Sequence, residues 1–248
     1  MNGKLVHIEG IDGSGKSTVM DACRSWAEER GARFVDAVEF MKRERRLPRL
    51  EDVGDATGLL TAEPTFAWIG SAIREEIIAK HDDGRVYTGA ETADAFALDR
   101  LVLFRRLIIP FLTDHPERIV FQDRGLASSL AYQPLQDPSL TTANLLARPG
   151  NAQTLAFPPT LLILIRTEAA AALARVAGRT DKRDNDIFDD ANFQSRLAIR
   201  FLSDDVLGPF KQAGTIIGEI DGNAPQDVVA AAVKRLLTQE LDTEDKRG

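Results

Sequence analysis

Apolar residues fall along this chain in two alternating rhythms. Short runs occur at Leu5-Val6-His7-Ile8-Glu9, Phe34-Val35-Asp36-Ala37-Val38, Leu59-Leu60-Thr61, Ile119-Val120-Phe121-Gln122-Asp123, Leu161-Leu162-Ile163-Leu164-Ile165 and from Thr215 to Ile220. Such runs, bounded by glycine or charge, predict buried strands. Between them the spacing is helical. Val19, Cys23 and Trp26 precede Gly31, and Ile69, Ile73 and Ile77 share a face within 67–80. Residues 91–112 predict a long apolar helix, bent or ended at Pro110, and 126–147 helical pieces broken at Pro134 and Pro138. An alanine-rich helix over 168–177, another reaching about Leu202, and a last one from Pro225 to about Gln239 complete the series. The charged, punctuated stretch 41–58 reads as an excursion from the core with room for one short helix, and the tail from Asp242 as frayed.

Apolar strands alternating with helices predict a parallel sheet covered on both faces. The expected architecture is α/β, a three-layer α/β/α sandwich with a central parallel sheet of about five strands. Ligands in such folds bind beyond the carboxyl ends of the strands. Function is therefore expected after Glu9, Thr61, Asp123, Ile165 and Ile220.

Composition narrows the classes. The 248 residues, 44% hydrophobic and 28% charged, exclude a disordered or collagen-like chain. A single cysteine excludes a disulfide framework, and no His, Cys and carboxylate cluster has metal-ligand spacing. No apolar run approaches the roughly 18 residues of a membrane span, and the opening apolar stretch is too short for a signal peptide. The expected setting is the cytoplasm. The net charge, 31 − 38 = −7, argues against a nucleic acid polymer as partner.

The candidate chemistry begins after the first strand. Gly10-Ile11-Asp12-Gly13-Ser14-Gly15-Lys16-Ser17 fits G-x-x-x-x-G-K-[ST], and Thr18 follows. Glycines let successive N–H groups turn toward a phosphate, Lys16 supplies a point charge, and the Ser17 hydroxyl is suited to Mg²⁺. The following helix points its positive end at the same anion. A chance match in this length is on the order of one in a hundred. Asp12 inside the loop is unusual, because bound phosphates repel a carboxylate.

Beyond the loop the chain resembles the thymidylate kinase family of P-loop nucleoside monophosphate kinases. Glu9 to Thr18 resembles that family's phosphate loop, including the acidic residue. Glu63-Pro64 resembles its E-P signature, and Phe96-Ala97-Leu98-Asp99-Arg100 its F-x-x-x-R motif. Asp123-Arg124 with Ser128-Ser129-Leu130-Ala131-Tyr132-Gln133 is similar to its D-R…S-S-L-A-Y-Q stretch. Arg175, Arg179 and Arg183 resemble an arginine-bearing lid, and Asp221 to Pro225 the loop beside the adenine.

The resemblance implies one kinase domain over 1–248, with an inserted excursion at about 39–58 and a mobile lid at about 175–190. It implies transfer of the γ-phosphoryl of ATP to dTMP, with Mg²⁺, in a homodimer. Gly10, Gly13, Ser14, Gly15, Lys16, Ser17 and Thr18 would hold the ATP phosphates. Ser17 and, through water, Asp123 would hold Mg²⁺. Asp12, Glu63, Pro64, Phe96, Arg100, Arg124, Ser129, Tyr132 and Gln133 would receive dTMP. Phe96 would stack on thymine, Arg100 bind a ring carbonyl, Arg124 grip the phosphate, Asp12 meet the 3′-hydroxyl and Tyr132 crowd the 2′ position. Lys16, Asp12, Arg124, Arg179 and Arg183 would be catalytic, the last two because the phosphate loop has no arginine. Asn223, Ala224 and Pro225 would border the adenine.

Several positions depart from the family pattern. Ala62 stands where many members have arginine, Thr65-Phe66 replaces a glycine pair, Gly125 replaces the aromatic residue after Asp-Arg, and Ile187 replaces a second lid arginine. Ala62 and Gly125 border the acceptor site. They keep open a P-loop kinase with another nucleoside or monophosphate as acceptor, and a nucleotide-binding homologue without catalysis.

Overall fold

The computed structural model describes residues 2–79, 84, 86–178 and 191–242. Its centre is one six-stranded parallel sheet of β1 (Lys4–Glu9), β2 (Phe34–Asp36), β3 (Gly58–Ala62), β4 (Ile119–Asp123), β5 (Leu161–Arg166) and β6 (Ile216–Asp221). The order across the sheet is β2-β3-β4-β1-β5-β6. Every expected strand pairs, so the sheet has one strand more than the expected five. β2 is its short edge. It stops at Asp36 because that carboxylate accepts from the N–H groups of Val38 and Glu39 and caps a helix over Ala37–Glu44.

Alternation along the strands divides the core. Val6, Ile8, Phe121 and Ile163 face the helices Lys16–Glu28 and Gln226–Leu241. Leu162 and Leu164 face the helices Leu126–Gln136, Ala191–Phe201 and Asp204–Gln212. Leu5, Leu59 and Val120 lie under the helical run that starts at Gly89. The 41–58 stretch sends Met41, Leu47 and Val53 into that third cluster, more packing than its charge suggested.

Two wide turns alter the expected helices. Residues Ile73–Ile77 form a π turn, closed by Ile78 N–H donating to Ile73 O at 3.0 Å. The extra residue buries Ile78 in place of the expected Ile77. A second π turn, Phe104–Ile108, lets the chain pass Pro110 and stay helical to Leu112. Pro134 likewise lies inside its helix instead of breaking it. A proline there leaves the carbonyl of residue 130 without its usual donor, and Arg200 Nε supplies one to Leu130 O at 3.0 Å. The helices Pro149–Ala156 and Asp204–Gln212 were not legible in the apolar pattern.

Candidate active site

The loop from Gly10 to Gly15 leaves β1 and delivers the chain into the helix Lys16–Glu28. Gly13 has φ 75°, and a Cβ there would lie 2.1 Å from Ala172 O. Gly15, with φ 100°, caps the helix in a left-handed conformation. Ser14 is buried, while Ser17 is exposed at the mouth. Lys16 Nζ donates to Gly10 O at 3.1 Å and Ile11 O at 2.9 Å. Burial and the nearby Arg124 lower its pKa to about 8.

Arg124 follows the end of β4 with φ 65°, a left-handed conformation rare for a bulky residue. Its N–H donates to Ile8 O at 2.9 Å. Its guanidinium donates to Asp12, to Ser128 Oγ at 3.2 Å and to Gly10 O at 3.3 Å. Tyr132 O–H donates to the other oxygen of Asp12 at 2.9 Å, and Lys16 Nζ lies 4.0 Å from Asp12. Desolvation works to raise the pKa of Asp12, but Arg124 and Lys16 outweigh it and hold the carboxyl ionised well below the usual range. The carboxylate thus occupies two cations suited to phosphates.

Ser128 links this cluster to β1: its N–H and O–H donate to Glu9 at 3.3 and 2.6 Å. Burial raises the pKa of Glu9. Asp123 is half-buried at the end of β4, and its Oδ1 has no partner among the described residues.

A second cluster lies deeper, between β3 and the helix Gly89–Leu103. Arg100 is 1% exposed. Its Nη2 lies 2.6 Å from Glu63 and 3.0 Å from Ser129 Oγ, its Nη1 donates to Asn151, and its Nε is unpartnered among the described residues. Glu63, also buried, accepts from Gln122 Nε2 at 2.9 Å. Burial pushes the Glu63 carboxyl up to about 7 despite Arg100. The Glu63-Pro64 peptide is cis. Asp99 accepts from Thr65 N–H and O–H, both at 2.7 Å, which fixes the turn after Pro64. Phe96 is half-buried on the same helix face as Arg100. Gln133 is buried with its Oε1 unpartnered among the described residues.

The third part lies beyond β5 and β6. A cavity of about 660 Å³ is lined by Ile11, Thr167, Phe201, Leu202, Asp221 and Asn223 among others. Asn223 Oδ1 accepts from Glu168 N–H at 3.1 Å and lines this space, whereas Ala224 and Pro225 do not. Arg175 Nη1 reaches Gly13 O at 3.4 Å. Arg179 and Arg183, with Ile187, lie outside the described residues.

The structure therefore gathers Asp12, Lys16, Arg124 and Tyr132 at one point, and Glu63, Arg100 and Ser129 at another. Sequence reasoning missed Gln122, Asn151 and Asp99 as partners. Gln122 carried one signal, a polar residue inside an apolar strand. Asn151 carried none.

A glycine-rich phosphate loop on β1 of a parallel sheet, faced by an arginine from β4, defines a P-loop phosphotransferase. The thymidylate kinase family model matches residues 43–204. A thymidylate kinase of Clavibacter sepedonicus is 28% identical over 240 residues, 94% of each chain. A probable thymidylate kinase of Thermococcus gammatolerans is 30% identical over 189 residues, 74% of this chain and 75% of the relative. One from Pyrococcus abyssi is 37% identical over 135 residues, 54% of this chain and 53% of the relative. The chain belongs to the thymidylate kinase family.

Proposed function

We propose that the chain phosphorylates dTMP to dTDP with ATP, using the clusters above as its donor and acceptor sites. The observation that carries this reading is the meeting of Arg124 with Asp12 beside Lys16. It supports a guanidinium on the acceptor side at the mouth of a donor phosphate loop, as in-line phosphoryl transfer requires.

Gly10 to Thr18 cradle the donor phosphates, with Lys16 leaving its loop carbonyls for them. Ser17 and Asp123 suit Mg²⁺, which keeps most of its water and takes few protein oxygens. Asp123 Oδ1, without a partner among the described residues, supports that assignment. When bound, Mg²⁺ supplies charge neutralisation on the donor phosphates. The cavity beside Asn223 is large enough for the donor nucleoside.

On the acceptor side Arg124 transfers from Asp12 to the phosphate, and freed Asp12 meets the 3′-hydroxyl beside Tyr132. Phe96 stacks on the base. Arg100, locked by Glu63, Asn151 and Ser129, offers a ring carbonyl its Nε, which has no partner among the described residues, and Pro64 and Gln133 complete the wall. Arg179 and Arg183 assist the moving phosphoryl, since no arginine comes from the phosphate loop. The same reading extends to one kinase domain with an excursion at 39–58 and a lid at 175–190, acting as a cytoplasmic homodimer. No helix among the described residues is long and apolar enough to cross a membrane.

The test is ADP release with ATP, Mg²⁺ and a panel of nucleoside monophosphates and nucleosides. Preference for dTMP is the expected result. Preference for another acceptor overturns the assignment around Phe96 and keeps the donor site. ATP binding without turnover of any acceptor overturns the kinase reading.

A further inference from the structure

Parallel strands buried on both faces are normally apolar along their length. One row of this sheet is not. His7 of β1 lies opposite Gln122 of β4, which lies opposite Thr61 of β3. All three are fully buried and point to the face covered by the helical run after Gly89, where the His7 ring meets the edge of Phe104.

Within the row Gln122 makes two connections with one amide, one to a distant segment and one to the turn two residues on. Its Nε2 donates at 2.9 Å to Glu63, which holds Arg100, and at 2.9 Å to the carbonyl of Arg124. Arg124 has left-handed backbone, a conformation that persists only where its surroundings hold it. Ile8 O holds it from the N–H side and Gln122 from the carbonyl side.

The neighbouring glycine leaves room for His7 and Gln122 together. Gly125 has φ −175°, extended backbone open to any residue. Space is the restriction: a Cβ there would lie 2.8 Å from His7 Nδ1 and 3.2 Å from Gln122 Nε2. The aromatic residue that the family pattern has at this place cannot coexist with His7 and Gln122 as they stand.

We propose that Gln122 is a positioning residue for the acceptor, tying the base-reading end of the pocket (Glu63 and Arg100) to its phosphate-gripping end (Arg124), and that Gly125 is bare to admit His7 and Gln122 side by side. The inference rests on the acceptor reading above. Its consequence is specific: Gln122 fixes the span between the two ends, so it matters for a ligand that has both base and phosphate. A ligand with the base alone, or the donor nucleotide, does not need it.

The experiment measures binding of dTMP, thymidine and ATP to wild type and Gln122→Leu by calorimetry. Loss of a hydrogen bond between charged or strained groups is expected to lower the dTMP-to-thymidine affinity ratio about ten-fold, with ATP affinity changed less than about two-fold. Equal losses for all three ligands mean a merely structural residue and overturn the proposal, as does an unchanged ratio. A second pair tests the same claim if Gln122→Leu does not fold. Gly125→Ala is expected to lower the ratio about five-fold and His7→Ala/Gly125→Ala to recover most of it, as contacting residues couple. A harmless Gly125→Ala overturns the packing argument. If the acceptor panel selects another monophosphate, the acceptor reading fails, and the ratio is measured with that monophosphate and its nucleoside.

Discussion

The proposed donor site, Gly10 to Thr18, is made of consecutive residues, whereas the proposed acceptor site collects charged side chains from distant segments. Glu63, Arg100, Ser129 and Asn151 meet from the residue after β3, from the helix Gly89–Leu103, and from the two helices beginning at Leu126 and Pro149. In the donor half Lys16 Nζ rests on the loop carbonyls of Gly10 and Ile11. The acceptor half satisfies its ions internally, Arg100 against Glu63 and Arg124 against Asp12. Backbone cradles tolerate any side chain that keeps the turn. A buried ion network fails when one member goes, because the remaining charge is left unpaired in low dielectric.

The comparison sharpens with substitutions. The largest effect is expected from Lys16→Ala. Removing the cation that follows the transferring charge should lower kcat by about a thousand-fold or more, with dTMP affinity nearly unchanged. Near-normal turnover would remove the donor assignment. Phe96→Ala comes next: loss of a base-stacking ring should raise the KM for dTMP about ten-fold to a hundred-fold and leave that for ATP unchanged. Equal rises for both substrates would make Phe96 a packing residue.

The smallest effect is in stability against pH. Burial keeps His7 neutral down to about pH 3, against an ordinary 6.5. As pH falls through that window the unfolded chain gains a proton the folded one refuses, so stability is lost toward acid. Glu63 works the other way. Folded, it keeps its proton up to about 7 rather than 4.5, so its contribution is lost as pH rises. Between 4.5 and 6.5 the two slopes oppose. His7→Leu should leave the Glu63 slope alone, so that its urea stability, relative to wild type, declines from pH 4.5 to 6.5. Parallel curves for the two proteins would show that His7 titrates freely.

The loop was legible because its chemistry is local. Gly10, Gly15, Lys16 and Ser17 speak through spacing alone, and the strand before and helix after them are each set by a short apolar pattern. The acceptor residues were legible only through resemblance. Phe96 and Arg100 share a helix face by spacing, yet nothing in the spacing says that Asn151, fifty-one residues beyond, closes on Arg100. The survival of the helix through Pro134 depends on a partner supplied by another element, Arg200. Gln122 shows the boundary most clearly: its polarity was visible, its two partners were not.

By itself the sequence determined the alternating α/β order, the six strand segments, the phosphate loop and the strand ends at which chemistry had to sit, because hydrophobic period and glycine conformation act over a few residues. Tertiary structure decided which distant charges neutralise one another, which side chain rests on Gly125, and how Arg124 is held in a left-handed turn. Those outcomes depend on burial and on register between strands far apart in the chain, and both exist only once the sheet has formed.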